Sequence, residues 1–365
     1  MAIHYYISQK AELLRDCFIK NYKNTPRDIF KKDSIITQTE GLNEWISKGV
    51  TEQLGVFANY EFTEANAFIR SIGKLFDIHL TNSSVQTYKW HLFNLLELDS
   101  FKTSFPEIAD YYKDDEVKRV QLAEKVADLF DTYRGLREPY LVSWNNDICV
   151  KSVRANPNFI KHEAWQRWLW NELKNSITAS SNRKEIDSIL FKELLLDKLK
   201  EEPITAYNSI SVIGITSLTA YNKDILNAIS EHTDVNFYMI SPVKDLGWLK
   251  EQTAHENSFL RSCKNMGKDL LMQTVATAKD QEVTFLKHKA IEKPTLLQQV
   301  QEDLYNNTDN NKQHTSIDNS ITIASSYTEV REVEALYNYL LKQFETNKEL
   351  KPKDVLIQLT DVDRY

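Results

Sequence analysis

The chain has 365 residues, of which 42% are apolar and 11% aromatic, and it carries a formal net charge of −7. Its length predicts two or three domains, and its apolar content excludes a largely disordered protein. The negative net charge differs from that of many nucleic-acid-binding domains, which are basic. A local basic stripe is nevertheless sufficient for such binding.

Strands and helices alternate in the first part of the chain. We predict strands at 4–7, 34–37 and 58–62, with amphipathic helices at 9–23 and over the segment LNEWISKGVTEQL. Strands that are joined by helices predict an α/β domain with a parallel sheet.

The pattern becomes helical from about residue 84 to residue 205. Apolar residues recur with helical spacing in TYKWHLFNLLEL, VQLAEKVADLFDTYRGL and HEAWQRWLWNELKNSI. Strands are predicted again at 210–215 and 235–240, with a helix at 221–231. We therefore predict an α/β domain formed by residues 1–83 and 206–300, with residues 84–205 inserted as a helical subdomain.

The last part of the chain has a different composition. Residues 301–319 are polar and rich in asparagine, so we predict a linker there. A strand at 320–324, a helix at 328–344 and a strand at 354–359 follow. We interpret residues 320–365 as the start of a second α/β domain, and the chain as a fragment of a longer protein.

Several sequence features argue against bound cofactors and metals. The chain has eight glycines and contains neither GxxxxGK[ST] nor GxGxxG, so no phosphate-binding loop is predicted. Cys17, Cys149 and Cys263 are isolated from one another, which argues against a disulfide framework or a zinc site. No apolar run approaches the ~18–20 residues of a membrane span, and the N-terminus lacks a signal pattern. We expect a cytoplasmic protein with no cofactor and no membrane partner.

The strand ends lack the residues of an ATPase site. The segment YISQK (6–10) stands where an ATPase has its phosphate loop, and it contains no glycine. The strand of SVIGI ends in Ile213 and Ile215, where a motor ATPase needs a carboxylate for Mg²⁺. Lys10 is more simply explained as a solvated residue of a first helical turn. We expect an ATPase-like fold that has lost its ATPase motifs.

Six segments of the sequence resemble one known family. They occur in the family's order: SIITQTEGLNEWISKGVTEQLGVFANYEF, DDEVKRVQLAEKVADLFDTYRGLREPYL, AWQRWLWNEL, VIGITSLT, HENSFLRSCKNMGKDLL and SITIASSYTEVREVEALYNYLL with KPKDVLIQLTDVDRY. The chain resembles the N-terminal third of the RecC family, the gamma subunits of exodeoxyribonuclease V, a bacterial helicase–nuclease that processes double-strand breaks.

The resemblance implies a superfamily 1 helicase-like, P-loop-NTPase-like fold without ATPase motifs. It implies a non-catalytic scaffold that splits the duplex and guides single-stranded or forked DNA. The implied partners are the motor-nuclease (beta) subunit and the second motor (alpha) subunit of the same complex.

The same resemblance implies a set of DNA-binding residues. The positions that match the family's strand-inspecting tunnel are Gln38, Asp128, Leu129, Asp131 and Arg137. An amide can hydrogen-bond base edges, and an arginine can pair with a phosphate or a guanine. Gln38 could instead belong to an ordinary turn, and Asp128 and Asp131 could lie on an exposed helix face. These alternatives are equally simple.

Three further residues are candidates for DNA binding, and each has an alternative explanation. Thr39 follows Gln38 at a strand end that enters a helix, and it is equally suited to an N-cap. Lys118 and Arg119 could contact phosphate, or could belong to a solvated helix face. The resemblance also shows departures from the family's best-known pattern, so recognition of a recombination hotspot is altered or absent. The departing residues are Glu40, Glu44, Glu64, Arg70 and Asp187.

Two further clusters have simpler explanations. The acids of KDDEVKR suit a helix N-terminus, so capping is favoured over metal binding. Trp165, Leu169 and Leu173 share one helical face with Trp168 close to it, which favours core packing over base stacking.

Three functions are consistent with these observations. The first is a non-catalytic DNA-handling and assembly subunit. The second is an assembly scaffold that makes no DNA contact of its own, and the third is an α/β enzyme with an unrecognised acid–base site.

Overall fold

The computed structural model describes residues 3–80, 84–150, 153, 157–180, 185–186, 188–244, 257–262, 268–275, 282–287, 291–309 and 318–365. These residues form two compact units. The first comprises residues 1–289 and 305–308, and the second comprises residues 290–304 and 309–365.

A six-stranded sheet in which all neighbours are parallel forms the centre of the first unit. Its strands are β1 (Ile3–Ser8), β2 (Lys32–Ile36), β3 (Tyr60–Thr63), β6 (Tyr207–Ile213), β7 (Val235–Ile240) and β8 (Val283–Phe285). They lie in the order β3-β2-β6-β7-β1-β8. The predicted α/β class and parallel sheet are confirmed. Two short strands, β4 (His79–Leu80) and β5 (Glu185–Ile186), pair separately.

Helices connect these strands, and three of them lie close to the predicted positions, whereas α3 was not predicted. They are α1 (Ala11–Asn24), α2 (Glu40–Leu54), α3 (Ala65–Leu75) and α11 (Ala220–Ser230). Phe18 and Ile46 of α1 and α2 pack with Ile35 and Tyr238 of the sheet in one buried cluster. Because side chains alternate along a strand, the neighbouring residues of β7, such as Phe237, are buried on the opposite face.

A helical region lies between β3 and β6 in the chain. Its helices are α4 (Val85–Leu95), α5 (Asp99–Ser104), α6 (Pro106–Tyr111), α7 (Glu116–Leu136), α8 (Glu138–Asn145), α9 (Pro157–Ser180) and α10 (Ser188–Glu201). Trp170 is 1% exposed, and Trp165 and Trp168 pack against the same buried cluster. Core packing of the tryptophans is confirmed.

Two predicted strands of the last part of the chain are wrong. The second unit contains α15 (Glu329–Thr346), close to the predicted helix, but residues 320–324 and 354–359 form no strand. A strand exists only through ladder hydrogen bonds to a partner, and these segments have none. Ile323 and Leu356 are 92% and 81% exposed.

The predicted linker at 301–319 is also partly wrong. Helix α14 (Leu296–Asn306) includes its first residues, and residues 310–317 lie outside the described residues. Two short helices, α12 (Ser258–Ser262) and α13 (Lys268–Val275), and two 3-10 helices, Pro352–Asp354 and Val362–Arg364, complete the described elements. None of the described helices combines the length and apolar character needed to cross a membrane.

The stability of the protein at alkaline pH tests this packing, because it depends on two buried tyrosines. Burial, and secondarily the charge of Glu282, raises the pKa of Tyr5 from 10.0 to about 12, and burial raises the pKa of Tyr112 to about 12. These tyrosines ionise earlier in the unfolded chain than in the folded protein. Their stabilisation is therefore complete below pH 10 and is lost as the pH rises through 12.

We expect the free energy of unfolding to fall between pH 10 and 12. Urea titrations across this range, with tyrosinate absorbance as a second signal, measure it. The Tyr5→Phe/Tyr112→Phe variant should lose less stability over the same range. A stability that stays constant over the range would contradict the prediction.

Candidate nucleic-acid interface

Loops that follow neighbouring strands meet at the carboxyl edge of the parallel sheet. Gln38 and Thr39 are exposed in the loop between β2 and α2. The side-chain oxygen of Gln38 accepts hydrogen bonds from the backbone N–H and the hydroxyl of Thr216, at 3.1 and 3.0 Å. Gln38 therefore joins its loop to residues 214–219, the loop between β6 and α11. The side-chain nitrogen of Gln38 makes no hydrogen bond to a described residue.

The first turn of α2 is open to solvent. Thr39 occupies the N-cap position, but its side chain makes no capping hydrogen bond. A Cβ added to Gly41 would meet no atom within 4 Å. Backbone N–H groups of an uncapped first turn can bind phosphate, although the exposed carboxylates of Glu40 and Glu44 oppose an anion here.

The C-terminal half of α7 contributes the predicted aspartates. Asp128 is exposed, and Leu129 is half-buried. Asp131 pairs with Arg134 of its own helix at 2.5 Å. Asp131 also lines a cavity of about 170 Å³ together with Arg70 of α3 and Thr219 of the β6–α11 loop. Gln38 and Asp131 thus both border the β6–α11 loop.

Arg137 follows the last residue of α7 and is exposed. Its Nη1 donates a hydrogen bond to the hydroxyl of Tyr140 at 3.1 Å, and its guanidinium carbon lies 5.3 Å from the centre of the same ring. No carboxylate among the described residues lies within ion-pair distance of it. The side chain is therefore positioned by an aromatic ring and keeps an uncompensated charge.

Lys118 and Arg119 lie at the opposite end of α7. Lys118 precedes Arg137 by 19 residues, which is about 28 Å along a helix. The Arg119 guanidinium pairs with Glu97 and Glu116 and lies 4.0 Å from the ring centre of Phe93. Lys118 Nζ is 3.7 Å from Asp115. The structure does not bring this pair together with the other predicted residues.

The acids that precede α7 act as predicted. Asp115 is the N-cap, and its carboxylate accepts a hydrogen bond from the backbone N–H of Lys118 at 3.1 Å. Within the described ranges, no group of three or more His, Cys, Asp or Glu residues is arranged to hold a metal ion.

Sequence reasoning missed several residues of the cavity. Asn66, Arg134, Tyr221 and Asn222 line it beside Arg70 and Asp131. They belong to three helices that are far apart in the chain, so only the tertiary fold brings them together. The sequence of α3 did contain a usable signal for a polar residue beside the core. Arg70 follows the buried Phe68 and Ile69 on this strongly amphipathic helix.

The end of β1 is held by a local hydrogen bond, and the end of β6 is closely packed. The hydroxyl of Ser8 accepts a hydrogen bond from the backbone N–H of Lys10 at 3.1 Å. Ile213 and Ile215 are 5% and 8% exposed at the end of β6. Gly214 has a φ of 64°, and a Cβ there would lie 2.7 Å from Leu42. Only β7 separates β1 from β6, a span of about 10 Å.

These features define a class of protein: an α/β protein with a parallel sheet, a long helical region between two of its strands, and a polar site at its carboxyl edge. The chain belongs to the family "RecC, N-terminal domain", whose match covers residues 3–307.

Curated relatives agree with this assignment. The RecBCD enzyme subunit RecC of Haemophilus influenzae is 24% identical over 99% of this chain and 38% of its own length. The subunit of the same name from Escherichia coli K12 is 22% identical over 93% of this chain and 35% of its own. That of Mycolicibacterium smegmatis is 23% identical over the whole chain and 34% of its own length. The chain thus spans little more than a third of the length of these relatives.

Proposed function

We propose that the chain is a non-catalytic DNA-binding and scaffold part of a cytoplasmic, ATP-dependent helicase–nuclease that repairs double-strand breaks. Membership of the RecC N-terminal domain family supports a role as one subunit of such an enzyme. In this proposal the chain guides single-stranded or forked DNA beside a motor-nuclease subunit and a second motor subunit.

One observation carries the DNA-binding part of the proposal. Gln38 bonds Thr216 of the β6–α11 loop, and Asp131 and Arg70 line one cavity with Thr219 of the same loop, although these residues are far apart in the sequence. An amide and a carboxylate can hydrogen-bond base edges, and a guanidinium can bind a base edge or a phosphate. Arg137 adds an uncompensated charge after the last residue of α7. These residues are the proposed DNA contacts, together with Thr39, Asp128 and Leu129.

Anisotropy titrations with a labelled forked duplex test this proposal. Arg70→Gln and Arg137→Gln should each weaken binding about tenfold at low salt and reduce the salt slope by about one, because each removes one phosphate contact. Lys200→Gln is the matched control, because Lys200 is exposed and pairs with Asp197 of its own helix. Lys118→Gln should have a smaller effect, because Lys118 lies at the remote end of α7.

Two outcomes would contradict the proposal. Unchanged affinity in both arginine variants would remove the carboxyl edge from the DNA path. A wild-type chain that binds no forked duplex even at low salt would favour the second candidate, an assembly scaffold without DNA contact.

The absence of ATPase activity is a separate part of the proposal. It is supported by the buried isoleucines at the end of β6 and by the Ser8–Lys10 hydrogen bond after β1, since neither arrangement offers a carboxylate for Mg²⁺. We expect no binding of ATP with Mg²⁺ in calorimetric titrations. Low-micromolar affinity would refute this part of the proposal.

A further inference from the structure

A tight turn at the amino-terminal edge of the sheet displays two large apolar side chains. Ile29 and Phe30 are 78% and 89% exposed. They are the central residues of the turn 28–31, which is closed by a hydrogen bond of 3.1 Å from the N–H of Lys31 to the carbonyl of Asp28. Turn centres normally carry Gly, Asn, Asp, Ser or Pro. Neither the turn nor the core requires an Ile–Phe pair here.

Side chains from distant parts of the chain hold the backbone of this turn. Asp28 accepts a hydrogen bond from the N–H of Phe30 at 2.9 Å. Asn208 bonds the N–H and the carbonyl of Asp28 and also the carbonyl of residue 31, at 2.9–3.1 Å. Asn59 donates to the carbonyls of residues 29 and 31, at 2.9 and 2.5 Å. The apolar pair is therefore presented by a backbone that is already ordered.

Basic residues outnumber acidic ones between residues 23 and 33, where Lys23, Arg27, Lys31 and Lys32 accompany Asp28 and Asp33. Lys32 pairs with Glu61 at 3.3 Å. Arg27 is paired with the buried Asp33 at 2.8 Å. Lys23 and Lys31 have no carboxylate within ion-pair distance in the part of the chain that the structure describes. Lys31 directly follows Phe30, and together with Lys23 it outweighs the single carboxylate of Asp28. The turn therefore complements an apolar surface that is bordered by carboxylates.

We propose that the turn 28–31 is a docking element that inserts Ile29 and Phe30 into an apolar cleft, rimmed by acidic residues, on another protein subunit. This inference rests on the proposed role as a subunit of a complex. A pre-ordered loop loses little conformational entropy on binding, and large side chains seated in a pocket dominate interface energies.

The position of the turn allows both proposed activities at once. The turn precedes β2, whereas Gln38 and Thr39 follow it, and the five residues of β2 span about 16 Å. A partner subunit can therefore occupy the amino-terminal edge of the sheet while DNA occupies the carboxyl edge.

The test is binding of the chain to the purified motor-nuclease subunit and to the purified second motor subunit. The Ile29→Ser/Phe30→Ser variant should bind one of them at least tenfold more weakly, with an unchanged melting temperature because both side chains are exposed. Val117→Ser is the matched control, since Val117 is 67% exposed on α7. Lys31→Glu should weaken the same complex, most strongly at low salt.

The outcomes separate this inference from the proposed function. Wild-type affinity in the double variant and in Lys31→Glu would overturn the inference and leave the subunit role intact. A wild-type chain that binds neither subunit would refute the subunit role and the inference with it. Loss of forked-DNA binding with unchanged subunit binding would assign the turn to DNA and also overturn the inference.

Discussion

Lys192→Met should lower the free energy of unfolding by about 3 kcal/mol, because it leaves two carboxylates without their shared cation. Lys192 of α10 is 9% exposed. Its Nζ lies 2.9 Å from both oxygens of Glu138 of α8 and 2.8 Å from Asp224 of α11. The ammonium thus joins the helical region to a helix of the sheet. Methionine retains the length and apolar stem of lysine, so the loss reports the missing charge.

The pKa of Lys192 gives the expected pH dependence. Burial alone lowers this pKa, but hydrogen bonds and charges from Asp224 and Glu138 outweigh the effect, and the net pKa is raised above 10.5. A raised lysine pKa stabilises the folded protein fully below pH 10.5, and this stabilisation is lost as the pH rises through the folded-state value. The difference between wild type and Lys192→Met should therefore be constant near neutral pH and shrink above pH 10.5.

Urea unfolding of Lys198→Met provides the control on the same helix. Lys198 pairs with Glu201 and Glu202 at 3.5 Å, and its side chain is 43% exposed. Exposed pairs of this kind contribute at most about 0.5 kcal/mol. Equal small losses in both variants would show that the Lys192 pairs are as weak as surface pairs. Replacing Glu138 with Leu in the Lys192→Met background should recover part of the loss.

Gly73→Ala should destabilise the protein by about 2 kcal/mol, although alanine is normally the better helix former. A Cβ at this position would lie 2.5 Å from the ring of Phe191 and 2.9 Å from the backbone carbonyl oxygen of Ile78. Phe191 is completely buried, so its ring cannot move into solvent. The carbonyl is equally fixed, because it belongs to the chain that leaves α3.

Gly41→Ala is the matched control for this substitution. Gly41 lies in the first turn of α2, where an added Cβ meets no atom within 4 Å, so alanine should be neutral or stabilise by up to about 1 kcal/mol. Thermal and urea unfolding of both variants measure the difference. Equal stability of the two variants would mean that Phe191 repacks freely. Gly73→Ala combined with Phe191→Leu should recover part of the loss.

Five of the six strands of the sheet could be predicted from the sequence because each leaves a local signal, whereas the three-residue strand β8 was not predicted. Ile35, Val212 and Phe237 lie in short apolar runs between helical patterns, and such runs predict buried parallel strands. The order of the strands was not predicted, because pairing depends on contacts between residues that are far apart. The segments around Ile323 and Leu356 carry the same local signal but have no partner strand, so the local signal was misleading there.

The candidate site was only partly predictable for the same reason. Gln38 and Thr39 follow a strand, and that position alone predicts the carboxyl edge. The contact between Gln38 and Thr216 joins residues 178 positions apart, and no local pattern contains it. One of the two ion pairs of Arg119 likewise depends on Glu97 of another segment. Local patterns thus identified the loops, whereas the side chains that share a cavity follow from tertiary packing.

The order of the strands has a consequence for how the chain assembles during synthesis. β1 and β2 are separated in the sheet by β6 and β7, and β7 ends only at Ile240. The middle of the sheet therefore cannot close until the ribosome has translated the chain as far as Ile240. The helices from α4 to α10 make mostly nearby contacts and can fold earlier. Until then β1 lacks both of its neighbours, β7 and β8, so its edges are open to incorrect pairing with other strands.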